Sequence, residues 1–215
     1  MHSTSTTMVH EDPVHSARVT HPAETPAVHS VWRTSILFTL VTAVLFGIVY
    51  PLLIAGIAGV LFHRKAEGSL IVRNGQVIGS SLIAQSFTSD KYFHSRPSAA
   101  GNGYDATSSG GTNLAQSNAK LASRIQGDID KLAAQNPDHA VPIDMVTTSG
   151  SGLDPDITPD NAYFQADRVA KARGVTIGSI RELIARHTAG RTLGFLGEPR
   201  VNVLELNLAL DQMTK

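Results

Sequence analysis

Cysteine is absent from the 215-residue chain, and with it go disulfide frameworks, thiolate metal sites and thiol nucleophiles. Either redox compartment suits such a chain. Net charge is missing as well: 18 basic residues stand against 18 acidic ones, which excludes a polyanion binder working by bulk electrostatics. Charged residues are only 17% of the chain and hydrophobic ones 42%, too apolar for a wholly disordered polymer. No Gly-Lys pair occurs, so there is no G-x-x-x-x-G-K-[ST] loop to cradle phosphates. A G-x-S-x-G nucleophile elbow is also lacking, and Ser109-Gly110-Gly111 sets no serine on a strand-to-helix turn. No residue is therefore assigned a catalytic role.

The most informative absence is local. From Thr34 to Phe62 there is no Asp, Glu, Lys, Arg or His. Ser35 to Phe62, 28 uncharged residues, would as a helix outrun the roughly 30 Å hydrocarbon core of a bilayer. The reading is a transmembrane helix over residues 35–62. The run is longer than a signal-peptide core and leads into Phe62-His63-Arg64-Lys65 rather than a small-residue cleavage site, so it is an anchor. Pro51 removes a backbone donor in mid-span and predicts a kink near Val49. Beyond it Ala55 and Gly59, four apart, leave one face without bulk, where another helix can approach closely. Pro51, Ala55 and Gly59 are thus the candidate helix-packing residues.

Ahead of the span, residues 1–33 hold Pro13, Pro22 and Pro26 and five of the nine histidines, with no apolar periodicity, as expected of a disordered His-rich tail. His2, His10, His15, His21 and His29 leave no pair one helical turn apart, so no metal site is assigned to them. Arg18 and Arg33 before the span, against Arg64, Lys65 and Arg73 after it, lean toward a cytoplasmic C-terminal side. That rule loses force when a long domain follows, and counting leaves topology open.

Residues 68–215 are nearly neutral and numerous enough to bury a core of their own. Asn74-Gly75 between two β-rich runs, Ser69 to Gly79, predicts a hairpin. Ser117 to Gln135 carries Leu121, Ile125, Ile129 and Leu132 as one helical stripe. Thr158-Pro159 predicts an N-cap with proline in the first turn of a helix stopping at Gly174. Ser179 and Glu182 fit a capping box for a short helix ending before Gly190. In the last segment Leu204, Leu206, Leu208 and Leu210 alternate, which favours a strand over Val201 to Leu210, although Asn202 with Glu205 can equally cap a helix. The fold class is α+β: a single N-terminal transmembrane helix followed by one mixed globular domain.

Two loops concentrate small polar residues. One runs from Ser95 through Gly101-Asn102-Gly103-Tyr104 to Asn113, the other from Ser149 to Asp156. Loops of this length and composition either pack on themselves or form a recognition surface. With few basic residues in the domain and no aromatic interleaving, nucleic acid is not the partner.

Six stretches in order, Gly68 to Ile71, Phe87 to Ala99, Ser109 to Leu114, Val146 to Pro155, Arg168 to Arg173 and Leu196 to Asn207, carry a resemblance to the C subunits (KdpC) of Kdp potassium-transporting P-type ATPases. The likeness covers roughly residues 35–215. It departs at the His-rich tail, at Ala84, where glycine is commoner, and at Ala115-Gln116-Ser117. The resemblance implies an accessory subunit, single-pass in the bacterial inner membrane, with its large domain extracytoplasmic. It implies three partners: a potassium-channel-like subunit, a P-type catalytic subunit and a very small membrane peptide. The family is described as a catalytic chaperone that raises the ATP affinity of the catalytic subunit. No tightly bound cofactor is implied, and ATP enters through that subunit. Ser109, Gly110, Gly111 and Gln165 resemble the positions proposed to touch nucleotide. The chain itself lacks the Asp-Lys-Thr-Gly-Thr of a phosphorylated ATPase, since Asp90-Lys91 continues as Tyr92-Phe93. The rival reading is a membrane-anchored ligand-binding protein or enzyme acting alone, which predicts a defined pocket rather than an exposed apolar or loop-rich face.

Overall fold

The computed structural model describes residues 28–213, so most of the His-rich tail lies outside the described residues. The described residues fall into two units, with the boundary inside the apolar helix at Ile54/Ala55.

That helix begins at Val28, ahead of the uncharged run. It comprises α1 (Val28–Val44), a π-helical turn (Leu45–Val49) and α2 (Tyr50–Leu61). Its apolar part, Val31 to Leu61, is 31 residues long with its side chains facing outward, and it is the one transmembrane helix among the described residues. The irregularity expected near Val49 is the π turn, in which Tyr50 N–H reaches back to Leu45 O. The cause is the next residue. In a regular α-helix the Pro51 ring would press on the carbonyl of Gly47, and a wider turn relieves that clash. A short turn, α3 (His63–Ala66), follows the span.

The hairpin forms as predicted: β1 (Leu70–Arg73) pairs antiparallel with β2 (Gln76–Ser80), Arg73 opposite Gln76. Asn74 and Gly75 both take positive φ, +53° and +76°, as a two-residue type I′ turn requires. Helix α4 (Ala119–Gln135) is capped by the Asn118 carboxamide, which accepts from Lys120 N–H. Its apolar stripe of Leu121, Ile125, Ile129 and Leu132 is only half-buried.

The core lies among α5 (Pro159–Arg173), α6 (Ile177–His187), α7 (Val203–Met213) and a small antiparallel sheet. The sheet is ordered β3 (Asp156–Ile157), β5 (Arg200–Asn202), β4 (Thr188–Ala189). Helix α5 starts and stops where expected: Thr158 accepts from Asn161 N–H, Pro159 opens the first turn, and Gly174 closes it at φ +68°. Ala162, Ala166 and Val169 of α5 meet Ile180 and Ile184 of α6 and Leu206 and Leu210 of α7, with Val201 and Phe93 between them. Burying the Val, Ile, Leu and Phe side chains of this cluster contributes about 1.5–3 kcal/mol each.

Two expectations are corrected. Helix α6 starts one turn earlier than the Ser179 box: Thr176 is the cap, and Ser179 N–H donates to its hydroxyl at 3.3 Å. The final segment is a strand only over Arg200–Asn202. From Val203 it is helical, capped by Asn202 Oδ1, which accepts from Glu205 N–H at 3.1 Å. Val203, Leu206, Asn207 and Leu210 are buried at helical spacing, and the alternation of leucines is incidental because Leu208 is only half-buried.

Candidate functional site

The two glycine-rich loops are knitted to one another. Ser109 Oγ and Gly110 N–H both donate to Ser151 O, at 3.0 and 2.9 Å. Ser98 Oγ donates to Gly152 O at 2.6 Å and accepts from Tyr104 N–H at 2.8 Å. Arg96 spans the same joint, binding Asp154 at 2.9 Å and Thr147 Oγ1 at 3.4 Å. The phenol of Tyr104, its pKa raised by burial, donates to Arg96 O at 2.7 Å.

Glycine is needed here for close backbone approach. A Cβ on Gly152, at φ +68°, would lie 2.7 Å from both Ala100 N and Gly110 O. At Gly111 a Cβ would stand 3.3 Å from Gly150 O, whereas at Gly110 nothing lies within 4 Å. Of the glycines that marked these loops in the sequence, Gly111 and Gly152 therefore serve a loop-on-loop joint. Ser109 remains exposed on its rim, with Gly110 and Gly111 partly covered.

Gln165 lies in a buried polar ladder along α5. The Asp144 carboxylate accepts from Thr158 N–H, Thr158 Oγ1 and Asn161 Nδ2 at 2.8, 3.1 and 3.0 Å. Asn161 Oδ1 accepts from Gln165 Nε2 at 2.6 Å. Gln165 then embraces the backbone of His94: Oε1 accepts its N–H at 2.8 Å, and Nε2 donates to its carbonyl at 3.1 Å. Arg168 Nη2 adds a 2.7 Å bond to Gln165 Oε1, while Nη1 donates to Asp90 O at 2.9 Å. The preceding residue is held in the same way from α7, since Asn207 accepts Phe93 N–H at 2.8 Å and donates to Phe93 O at 2.9 Å.

Two side-chain amides thus replace strand neighbours for Phe93-His94, a segment outside any sheet. Their reason is the accounting rule for buried backbone: every N–H and C=O carried inside needs a partner. Sequence reasoning missed Asn207, Asn161 and Asp144. The available signal was Asn161 and Asn207, polar residues at positions that the helical period places on buried faces; Asp144, in a three-residue turn, offered none.

Gln165 also lines a cleft of about 200 Å³ with Asp90, His94, Gln135, Asn136 and Arg168. His94 titrates below its ordinary value, chiefly because it is partly buried and next because Arg168 stands nearby; its Nε2 lies 3.1 Å from Ser89 O. Desolvation also lowers Arg168, with Asp90 opposing. Ser109, Gly110 and Gly111 do not line this cleft, so the four residues grouped by the resemblance fall on two features of the domain. Near the joint, burial and then Asp154 push the Asp156 carboxyl up, against Arg200 at 3.2 Å and a bond from Asn202.

In the membrane helix, Pro51 and Ala55 are exposed and Gly59 is half-exposed. Nothing lies within 4 Å of a Cβ built on Gly56 or Gly59.

The family model described as KdpC, K+-transporting ATPase, c chain, matches residues 32–212. Among individual proteins, the potassium-transporting ATPase KdpC subunit of Koribacter versatilis is 60% identical over 178 residues, 83% of this chain and 92% of its own length. That of Acidobacterium capsulatum is 57% identical over 182 residues, 84% and 97% respectively. The Bradyrhizobium diazoefficiens subunit is 52% identical over 192 residues, 84% and 96%. With a match running through the membrane helix, both glycine-rich loops and the α5–α7 core, this chain belongs to the KdpC family, the c chain of the K+-transporting ATPase.

Proposed function

We propose that the chain is an accessory, non-catalytic subunit of an ATP-driven potassium uptake complex, anchored once in the bacterial inner membrane. Its large domain stands outside the cytoplasm and docks through its loop surface on a potassium-channel-like subunit. The other partners are a P-type catalytic subunit and a small membrane peptide. In this role it stabilises the assembly and promotes ATP use by the catalytic subunit.

The observation that carries the reading is the family match across residues 32–212, which takes in anchor and domain together. The small residues Ala55 and Gly59, one helical turn apart on α2, support it, since they leave room for a neighbouring helix to approach closely. Replacing Gly59 with Leu fills that room, and recovery of partner subunits in detergent is expected to fall; unchanged recovery removes the packing claim.

Nucleotide contact belongs to the same proposal, and the geometry divides its residues. Ser109 is on an exposed rim, whereas Gln165 would have to release His94 or Arg168 to meet a ligand. Promotion of ATP use through subunit contacts needs no such exchange.

Sidedness is the test of the placement. Single cysteines at Ser108 and Ser149, in a chain without cysteine, are expected to react with an impermeant thiol reagent in intact cells. Labelling only after lysis would put the loops in the cytoplasm and bring direct nucleotide contact forward.

A further inference from the structure

The connection between β4 and β5 is a small hairpin that displays apolar side chains. Leu193, Phe195 and Leu196 are 78%, 68% and 49% exposed. A flexible loop would be expected to fold such residues away from water, but this one is pinned. Thr192 and Leu196 exchange both backbone bonds at 2.9 Å, Gly194 N–H donates to Arg191 O at 3.1 Å, and Arg191 is bonded to Glu198 at 2.6 Å.

The backbone is also forced. Leu193 sits at φ +55°, a left-handed conformation that a leucine adopts only against its steric preference. Gly194 and Gly197, at +83° and +75°, supply the remaining bends. A strained residue held in place by its surroundings points to use, because relaxed alternatives such as Asn or Gly were open to this position.

The charges around the tip indicate what it meets. Arg191 is neutralised by Glu198, and Arg200 lies 3.2 Å from Asp156, so the rim offers paired rather than free cations. Attachment to an anionic lipid surface relies on unpaired Lys and Arg beside the apolar residues. An apolar centre with a charge-balanced polar rim is instead the anatomy of a protein interface, with the large apolar side chains as anchors.

We infer that the Leu193–Leu196 hairpin is a docking finger that seats its apolar tip in a cleft of another protein subunit of the potassium-transporting ATPase. The inference rests on the reading of this chain as a subunit. It adds the particular contact.

The test uses the full-length chain, tagged and co-expressed with the other subunits. Leu193→Asn with Phe195→Ser removes the anchors, and Asn accepts the left-handed conformation. Thermal stability of the chain is therefore expected to hold or rise, while recovery of partner subunits falls by about tenfold. A second variant moves the chain's single tryptophan, Trp32→Phe with Phe195→Trp. Its emission is expected to shift to the blue when the partner subunits bind, and to stay red in lipid nanodiscs holding the chain alone.

Recovery of partners at the unaltered level would overturn the finger and leave the subunit reading in place. A blue shift in nanodiscs without partners would overturn it in favour of the membrane surface. If the unaltered chain itself recovers no partner, the subunit reading falls and the finger with it.

Discussion

Replacing Gln165 with Leu separates a structural clamp from a ligand contact. The substitution keeps most of the side-chain volume and removes the amide that holds His94. Two main-chain groups of the half-buried His94, its N–H and C=O, then lose the partners they have at 2.8 and 3.1 Å. The buried Asn161 Oδ1 loses its 2.6 Å donor as well, although Asn161 still reaches Asp144 and Arg168 still reaches Asp90 O. An unpaired buried polar group costs about 1–3 kcal/mol and a half-buried one less, so the three groups together cost about 2–6 kcal/mol. The apolar replacement at a site that is 3% exposed returns part of this, leaving about 2–4 kcal/mol. For a domain near 150 residues, each kcal/mol lowers the melting midpoint by about 2–4 °C, so a fall of about 4–16 °C is expected. Far-UV circular dichroism of the full chain in detergent reads it directly. A midpoint within about 2 °C of the unaltered chain, accompanied by loss of ATP-dependent activity in the assembled complex, would refute the clamp and make Gln165 a ligand contact.

The remaining predictions concern the loop joint and the titration of His94. Gly152→Ala should destabilise the domain by about 2 kcal/mol or more, from the left-handed backbone and the contacts at 2.7 Å, whereas Gly110→Ala, with open space around it, should stay within about 0.5 kcal/mol. Limited proteolysis between Ser95 and Asn113 distinguishes them; equal resistance in the two variants would dissolve the joint. A loss of pump activity in Gly110→Ala at full stability would instead mark a partner or ligand contact there. Because His94 titrates below 6.5 in the fold, the unfolded chain binds more protons as pH falls past that value. Stability from this group is thus fully present above pH 6.5 and declines as pH drops through the lowered folded value. A His94→Gln variant should flatten that limb of the melting-midpoint profile; an unaltered slope would assign it to another group.

Much of the fold was legible because its causes are local. An uncharged run has one economical environment, and Pro51 within it required an irregular turn, found as the π segment before it. Asn74-Gly75 and Thr158-Pro159 to Gly174 specified a turn and both ends of a helix, since each signal acts on backbone within a few residues. The helix after Asn202 shows the limit. Its leucines satisfy two periods at once, and only the burial of Val203 and Asn207 against the core selects the helical one.

By itself, then, the sequence determined the anchor, the hairpin, the capped helices and the family. Tertiary structure decided what the conspicuous residues are for. Gly111 and Gly152 serve the mutual approach of the two loops, and Gln165 and Asn207 hold Phe93-His94 through bonds spanning 71 and 114 residues. The apolar tip at Leu193 is left facing outward. Those outcomes rest on contacts between distant parts of the chain, and a local pattern carries no record of which buried carbonyl a given amide will find.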